Sequence, residues 1–217
     1  YKIKMKGSIK KVFELYNDFG DANYIGEKIS QLEHATQAAM AAQKDNQPFN
    51  VIIAAFLHDI GHLVKIGDLE EQMGNVGVKT HEKIGANFLR EYGFPEDVCK
   101  MVESHVKAKK YLVAKYPDYV NRLSIASQSS LKFQGGAMNE REMRQFEDDP
   151  LFDYYIKLRE YDDIAKNDDK SVLEEIYNMN PTKFYYNMAK RNLDFDNLYF
   201  ETEEYDMGEL NEYDIFS

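Results

Sequence analysis

Four of the five histidines in this 217-residue chain fall on apolar helical faces, and two aspartates join them there. His58 and Asp59 end the run Val51-Ile-Ile-Ala-Ala-Phe-Leu57, which is apolar on every side, as a buried helix is. An imidazole and a carboxylate at the end of such a helix need partners, because an unpaired buried charge is costly. A metal ion supplies them. Taken alone, the pair reads better as a satisfied core histidine beside a capping or salt-bridging aspartate. The other positions change that balance. His105 continues the stripe Val98, Met101, Val102, which runs on through Lys109 and Leu112. His81 shares a face with Ile84, Gly85 and Phe88, and His34 lies within the apolar run from Ile29 to Met40. Asp162 follows Leu151, Tyr155 and Leu158 at helical spacing, where an apolar residue is expected. Four imidazoles and two carboxylates without a thiolate suit iron, manganese or zinc and disfavour an iron–sulfur cluster. Six ligands exceed the needs of one ion with open positions, so two ions sharing a bridging carboxylate are the economical solution. His62, one turn after His58, could be a seventh ligand, a substrate-binding group or merely exposed; the substrate role is preferred.

The elements that must position these residues are helical, since no stretch shows sustained strand-like alternation. The periodicity predicts an all-α fold with helices near 8–18, 25–44, 50–64, 80–92, 95–115, 117–132, 139–147, 150–165, 171–178 and 181–192. Pro48 and Asn50 open the third, Gly93 and Pro95 part the fourth from the fifth, Asn139 with Glu142 resembles a capping box, and Gly135-Gly136 marks a turn. The glycine-rich segment from Gly67 to Gly77 reads as a surface loop that could act as a lid. A single helical-bundle domain over residues 1–193 and an acidic extension over 194–217 are the simplest division.

The net charge of −11 discourages nucleic-acid binding, yet nine acidic and no basic residues lie between Asp194 and Ser217, leaving about −2 on the rest. No apolar run is long enough for a membrane span, nothing near Tyr1 resembles a signal peptide, and Cys99 is the lone cysteine. A cytoplasmic protein of unassigned oligomeric state, with neither nucleic acid nor membrane as partner, is expected.

The order His34, His58-Asp59, His81, His105, Asp162 resembles the HD-domain superfamily in its dinuclear form. Further segments narrow the likeness: Tyr24-Ile-Gly-Glu27, Gln31-Leu-Glu-His34, Leu57-His-Asp-Ile-Gly-His62, Thr80-His-Glu-Lys-Ile-Gly-Ala86, His105-Val-Lys-Ala-Lys109, Leu123-Ser-Ile-Ala-Ser127, Phe133-Gln-Gly-Gly136 and Leu158-Arg-Glu-Tyr-Asp162. Over roughly Asn23 to Lys166 they resemble the PhnZ-type mixed-valent diiron oxygenases, which cleave organophosphonates oxidatively. The resemblance implies two iron ions, Fe(II) and Fe(III), with O2 as co-substrate. It implies His34, His58, Asp59 and Asp162 on one iron, and the shared Asp59 with His81 and His105 on the other. Tyr24 would be a labile ligand. Glu27 would meet a substrate amine, and His62, Lys109, Ser127, Gln134 and Arg159 would hold the phosphonate or its neighbouring groups. Spacing supports two of these roles: Lys109 is one turn beyond His105 and Arg159 one turn before Asp162, where the planar guanidinium fork suits two phosphonate oxygens. Catalytic roles are expected for Tyr24, Glu27 and Lys109. The implied reaction converts a 1-hydroxyphosphonate, with 2-amino-1-hydroxyethylphosphonate preferred on account of Glu27, to a carboxylic acid and phosphate. The alternative is an HD-superfamily phosphohydrolase acting on a nucleotide or phosphoester.

Overall fold

The most apolar segment of the chain becomes its centre. In α3 (Phe49–Leu57) every side chain from Val51 to Leu57 is buried. Around it pack α2 (Gln31–Lys44), α6 (Glu96–Lys115), α9 (Phe152–Ile164) and α11 (Pro181–Asn192). Pro181 and the Asn180 side chain, which accepts the Lys183 amide, start the last of these. On the outside, α1 (Lys10–Phe19) lies against α11 and α2, anchored by the Tyr16 hydroxyl on the Phe56 carbonyl at 2.8 Å. α5 (His81–Glu91) packs on α6 and on the short α4 (Ile60–Val64). α7 (Ile125–Phe133), α8 (Glu140–Glu147) and α10 (Lys170–Asn178) complete the bundle. The computed structural model describes residues 7–24, 26–67 and 77–193; residues 68–76 of the lid expected from Gly67 to Gly77, and the acidic extension at 194–217, lie outside the described residues. Among the described residues there is no strand, and the fold is all-α as expected. No helix among them is long and apolar enough to cross a membrane.

Three expected helices are interrupted, and each interruption serves the pocket. The helix expected over 25–44 begins only at Gln31. Ser30 is its N-cap: its hydroxyl accepts the Glu33 amide at 3.2 Å and Glu33 Oε2 accepts the Ser30 amide at 2.6 Å. The residues before it form a loop whose Gly26 has φ +81°, and a Cβ there would come within 2.6 Å of the Ala126 Cβ. Only glycine lets this loop lie against α7. The helix expected over 50–64 breaks at Asp59, whose φ of −102° and ψ of 10° leave helical space, so that α3 and α4 are separate. The helix expected over 117–132 is a 3-10 turn, Pro117–Arg122, followed by extended Leu123 and Ser124; Ser124 then caps α7 by accepting the Ser127 amide at 3.2 Å. Here local capping overrides a continuous apolar pattern. The capping box at Asn139 and Glu142 is present as expected.

The break at Asp59 puts Gly61 against α5. A Cβ on Gly61 would lie 2.0 Å from the His81 carbonyl oxygen and 3.0 Å from the Gly85 amide. Gly61→Ala is therefore expected to force α4 and α5 apart, costing about 1–3 kcal/mol or more. A lowered urea midpoint together with reduced metal content would register it; an unchanged midpoint would contradict the close approach.

Candidate metal centre and its pocket

All four histidines singled out on apolar faces use one ring nitrogen in the same way. Nδ1 meets a backbone carbonyl in each: His34 with Ala165 at 2.7 Å, His58 with Ala55 at 2.7 Å, His81 with Val78 at 3.1 Å and His105 with Val102 at 2.7 Å. A carbonyl can only accept, so each Nδ1 carries the proton and each Nε2 presents a lone pair. These lone pairs face one another in two sets, His34 and His58 at 3.1 Å and His81 and His105 at 3.0 Å. Two lone pairs so close repel unless a cation lies between them. An ion about 2.1 Å from two ligands at right angles would place those ligands about 3.0 Å apart. The spacing of the nitrogens fits that requirement.

Asp59 stands between the two sets with one oxygen toward each. Its Oδ2 is 3.6 Å from His34 Nε2 and 3.4 Å from His58 Nε2, while Oδ1 is 3.3 Å from His81 Nε2 and 3.4 Å from His105 Nε2. Asp162 Oδ1 faces the first set alone, at 3.5 Å from His34 and 3.9 Å from His58. Burial alone would raise both carboxyls. For Asp59 it is overcome by His58, then by His105 and His81, which hold the group well below the usual carboxylate range. For Asp162 it is overcome first by Arg159 and then by His34. Both are therefore ionised, and they in turn demand positive charge: burial opposes a second proton on His58, yet Asp59 and Asp162 push the ring up to about 9, and a metal ion at Nε2 would take the place of that proton. A buried set of imidazole nitrogens and carboxylates that draws in cationic charge is what a pair of metal ions would satisfy. His34, His58, Asp59 and Asp162 could hold one, and Asp59, His81 and His105 the other.

His62 behaves differently from the other four. Its Nε2 is 3.9 Å from Asp59 Oδ1, so with Asp59 and His81 it forms a second group close enough to bind an ion. Its Nδ1, however, accepts the Val78 amide at 3.1 Å. Burial, followed by the neighbouring His81, pulls the ring down to about 3, so it is neutral and its one proton is on Nε2. His62 is a hydrogen-bond donor at the edge of the centre. Its ring stacks on His81 at 4.0 Å, and Val78 orients both rings, one through its N–H and one through its C=O. Tyr24 stacks on His34 at 3.8 Å, and burial, then Asp59 and Asp162, push its hydroxyl well above its ordinary range. It stands as a neutral phenol beside Asp59.

A pocket opens from the centre to solvent. Tyr24, Glu27, His62, Lys109, Ser127, Gln134 and Arg159, all singled out from the sequence, line it together with Asp59, His81, His105 and Asp162; His34 and His58 lie behind. Lys109 donates to Ser130 Oγ at 2.9 Å, and burial, then Arg159, pull it down to about 7. An incoming anion would restore its full charge. The Gln134 side-chain oxygen is buried with no partner.

Arg159 departs from expectation. Its Nε donates to the Tyr119 hydroxyl at 3.1 Å, Nη1 to Asp162 Oδ2 at 2.6 Å, and Nη2 to Ser127 Oγ at 3.3 Å and to Asp163. The fork expected to grip two substrate oxygens is thus already engaged, leaving about one N–H of five for a ligand. Tyr119, Asp163, Ser130 and Lys166 were not foreseen. Asp163 stands four residues from Arg159 on α9, a legible helical spacing, whereas Lys166 lies just past the end of that helix and Tyr119 arrives from 40 residues away with no local signal. Tyr119 accepts from Arg159 and donates to Asp163. Tyr119→Phe is expected to lower stability by about 1–3 kcal/mol and to raise KM with less effect on kcat. An unchanged KM would show that Arg159 is held without it.

The HD domain family model matches residues 29–135, which carry His34, His58, Asp59, His81 and His105. A protein of Acanthamoeba polyphaga mimivirus is 46% identical over 165 residues, covering 76% of this chain and 75% of its own. The 1-hydroxy-2-(trimethylamino)ethylphosphonate dioxygenase (glycine-betaine-forming) of Leisingera caerulea is 36% identical over 168 residues, covering 77% and 85%. The hydroxymethylphosphonate dioxygenase of Gimesia maris is 39% identical over 158 residues, covering 73% and 78%. The chain belongs to their family: it is an enzyme, an HD-domain oxygenase of the PhnZ type.

Proposed function

We propose that this enzyme cleaves the C–P bond of a 1-hydroxyphosphonate in an O2-dependent reaction at a mixed-valent diiron centre, the organophosphonate being its small-molecule partner. The observation that carries the reading is the placement of Asp59, with one oxygen toward His34 and His58 and the other toward His81 and His105. One carboxylate serving two imidazole pairs is what a dinuclear centre requires. In the balanced reaction, R–CH(OH)–PO3²⁻ and O2 give R–COO⁻, HPO4²⁻ and a proton. Bound by these ligands, the two irons would supply the one-electron chemistry that amino-acid side chains lack.

The chain's own groups do the rest. Lys109, with the His62 Nε2–H and the remaining Arg159 N–H, binds the phosphonate oxygens and orients the C1 carbon toward the centre. Gln134 and Ser127 hydrogen-bond to the phosphonate or the groups beside it. Tyr24 shields the open face of the centre before substrate arrives, as a labile ligand would. Glu27 faces the substituent beyond C1, which favours a cationic one. The preferred substrate is 2-amino-1-hydroxyethylphosphonate, giving glycine and phosphate; an N-methylated or hydroxymethyl relative fits the same donors. Both characterised relatives act, by name, on 1-hydroxyphosphonates of this kind.

The test is phosphate release from these phosphonates by iron-loaded protein with and without oxygen. Stoichiometric oxygen uptake and phosphate are expected. Phosphate released equally without oxygen, or from a phosphoester instead, would establish the hydrolytic alternative.

A further inference from the structure

Lys166 takes no part in the metal centre, yet its side chain enters the pocket beside Glu27. Its backbone is held from both sides by α2. The Ala165 carbonyl receives His34 Nδ1 at 2.7 Å, the Asn167 amide donates to Gln37 Oε1 at 2.9 Å, and the Asn167 carbonyl accepts from Gln37 Nε2 at 3.0 Å. Lys166 is therefore aimed by the same helix that carries His34. Its Nζ is 3.9 Å from Glu27 Oε1, with the two side chains 14% and 18% exposed. That separation gives charge attraction without a hydrogen bond, and Glu27 Oε1 is buried with no hydrogen-bond partner at all. Glu27 is balanced in charge but open as an acceptor. Asp162 also faces Lys166 from within the pocket, which Asp59, Lys109 and Arg159 line too, and Lys166 favours the ionised form of Asp162; Lys28 and Asp168 pair at 3.6 Å on the exposed side.

Resting on the phosphonate reading above, we propose that Lys166 is a specificity-determining residue: as the counter-charge of Glu27, it limits how strongly the pocket selects a cationic substituent at the far end of the substrate. An ammonium group that hydrogen-bonds Glu27 must approach Lys166 as a like charge, which is costly in a partly dry pocket. A substrate with no cation meets a pair already balanced. Lys166 thus keeps neutral 1-hydroxyphosphonates competitive, and its removal leaves Glu27 uncompensated and free to favour cations.

The experiment compares kcat/KM for 2-amino-1-hydroxyethylphosphonate and hydroxymethylphosphonate, read as phosphate, in iron-loaded wild type and in Lys166→Met, Lys166→Gln and Lys166→Arg. Binding of both compounds is measured in parallel by anaerobic calorimetry. The ratio in favour of the aminated substrate is expected to rise about tenfold in Lys166→Met and Lys166→Gln, in turnover and in binding, and to stay near wild type in Lys166→Arg. Adding Glu27→Gln to Lys166→Met should cancel the gain. A ratio that is unchanged or falls in both neutral variants overturns the role of Lys166 and leaves the phosphonate reading intact. Failure of wild type to bind or convert either compound overturns that reading and this inference together.

Discussion

Asp59→Ala is expected to abolish turnover and to weaken metal binding on both sides of the centre. Its two oxygens face two separate histidine pairs, so one substitution removes a ligand from each. The His81 and His105 side would keep only two ligands, while the other side would keep His34, His58 and Asp162. Loss of the ion beside His81 and His105, with partial loss of its neighbour, is the expected order. Losing several kcal/mol of metal-derived stabilisation corresponds to a rate decrease of about 10³-fold or more. The metal-free variant should still fold, because α3 packs through Val51 to Leu57 and does not depend on the carboxylate. Circular dichroism with metal analysis separates these effects. Asp59→Ala protein that retains two irons would refute the bridging role.

Arg159→Ala is expected to have the next largest effect, and through more than substrate binding. The guanidinium is 2% exposed and lies between Asp162 and Asp163 with Tyr119 behind it. Removing it leaves two carboxylates in a buried setting without their counter-charge, which costs about 3–5 kcal/mol. The free Asp162 would be easier to protonate, since Arg159 is the foremost influence opposing its burial. A lower Tm, reduced iron content and a raised KM should therefore appear together. Arg159→Lys should rescue little, because an ammonium cannot span two carboxylates and a phenol at once. A variant that is weaker only in KM, with stability and iron content intact, would reduce Arg159 to a simple phosphonate contact.

The parts of this site that were legible in the sequence are those governed by helical periodicity. The stripe Val98, Met101, Val102, His105, Lys109, Leu112 is buried along its whole length, and the apolar run ending in His58 and Asp59 is the core helix. What was not legible depends on caps, backbone groups and distant partners. The Ser30 capping box starts the second helix at Gln31, six residues later than the expected 25, which leaves Tyr24 and Glu27 on the loop before it. The break at Asp59 cannot be read from a segment that is apolar on both sides of it. His62 reads from the sequence as a substrate-binding group in preference to a ligand or an exposed residue. Its donor character follows from the Val78 amide, 16 residues away and brought close only by the packing of α4 against α5. Arg159 is marked by the family resemblance, which its spacing from Asp162 supports, but the engagement of its donors rests on Tyr119, which shares no local pattern with it.

The most direct measurement is the iron content of purified wild type beside His81→Ala and His105→Ala, joined to Mössbauer spectra of the loaded protein. Two magnetically coupled irons per chain are expected in wild type and one in each variant, with oxygen uptake lost. One iron in wild type, two that are uncoupled, or two retained in the variants would contradict a centre bridged by Asp59.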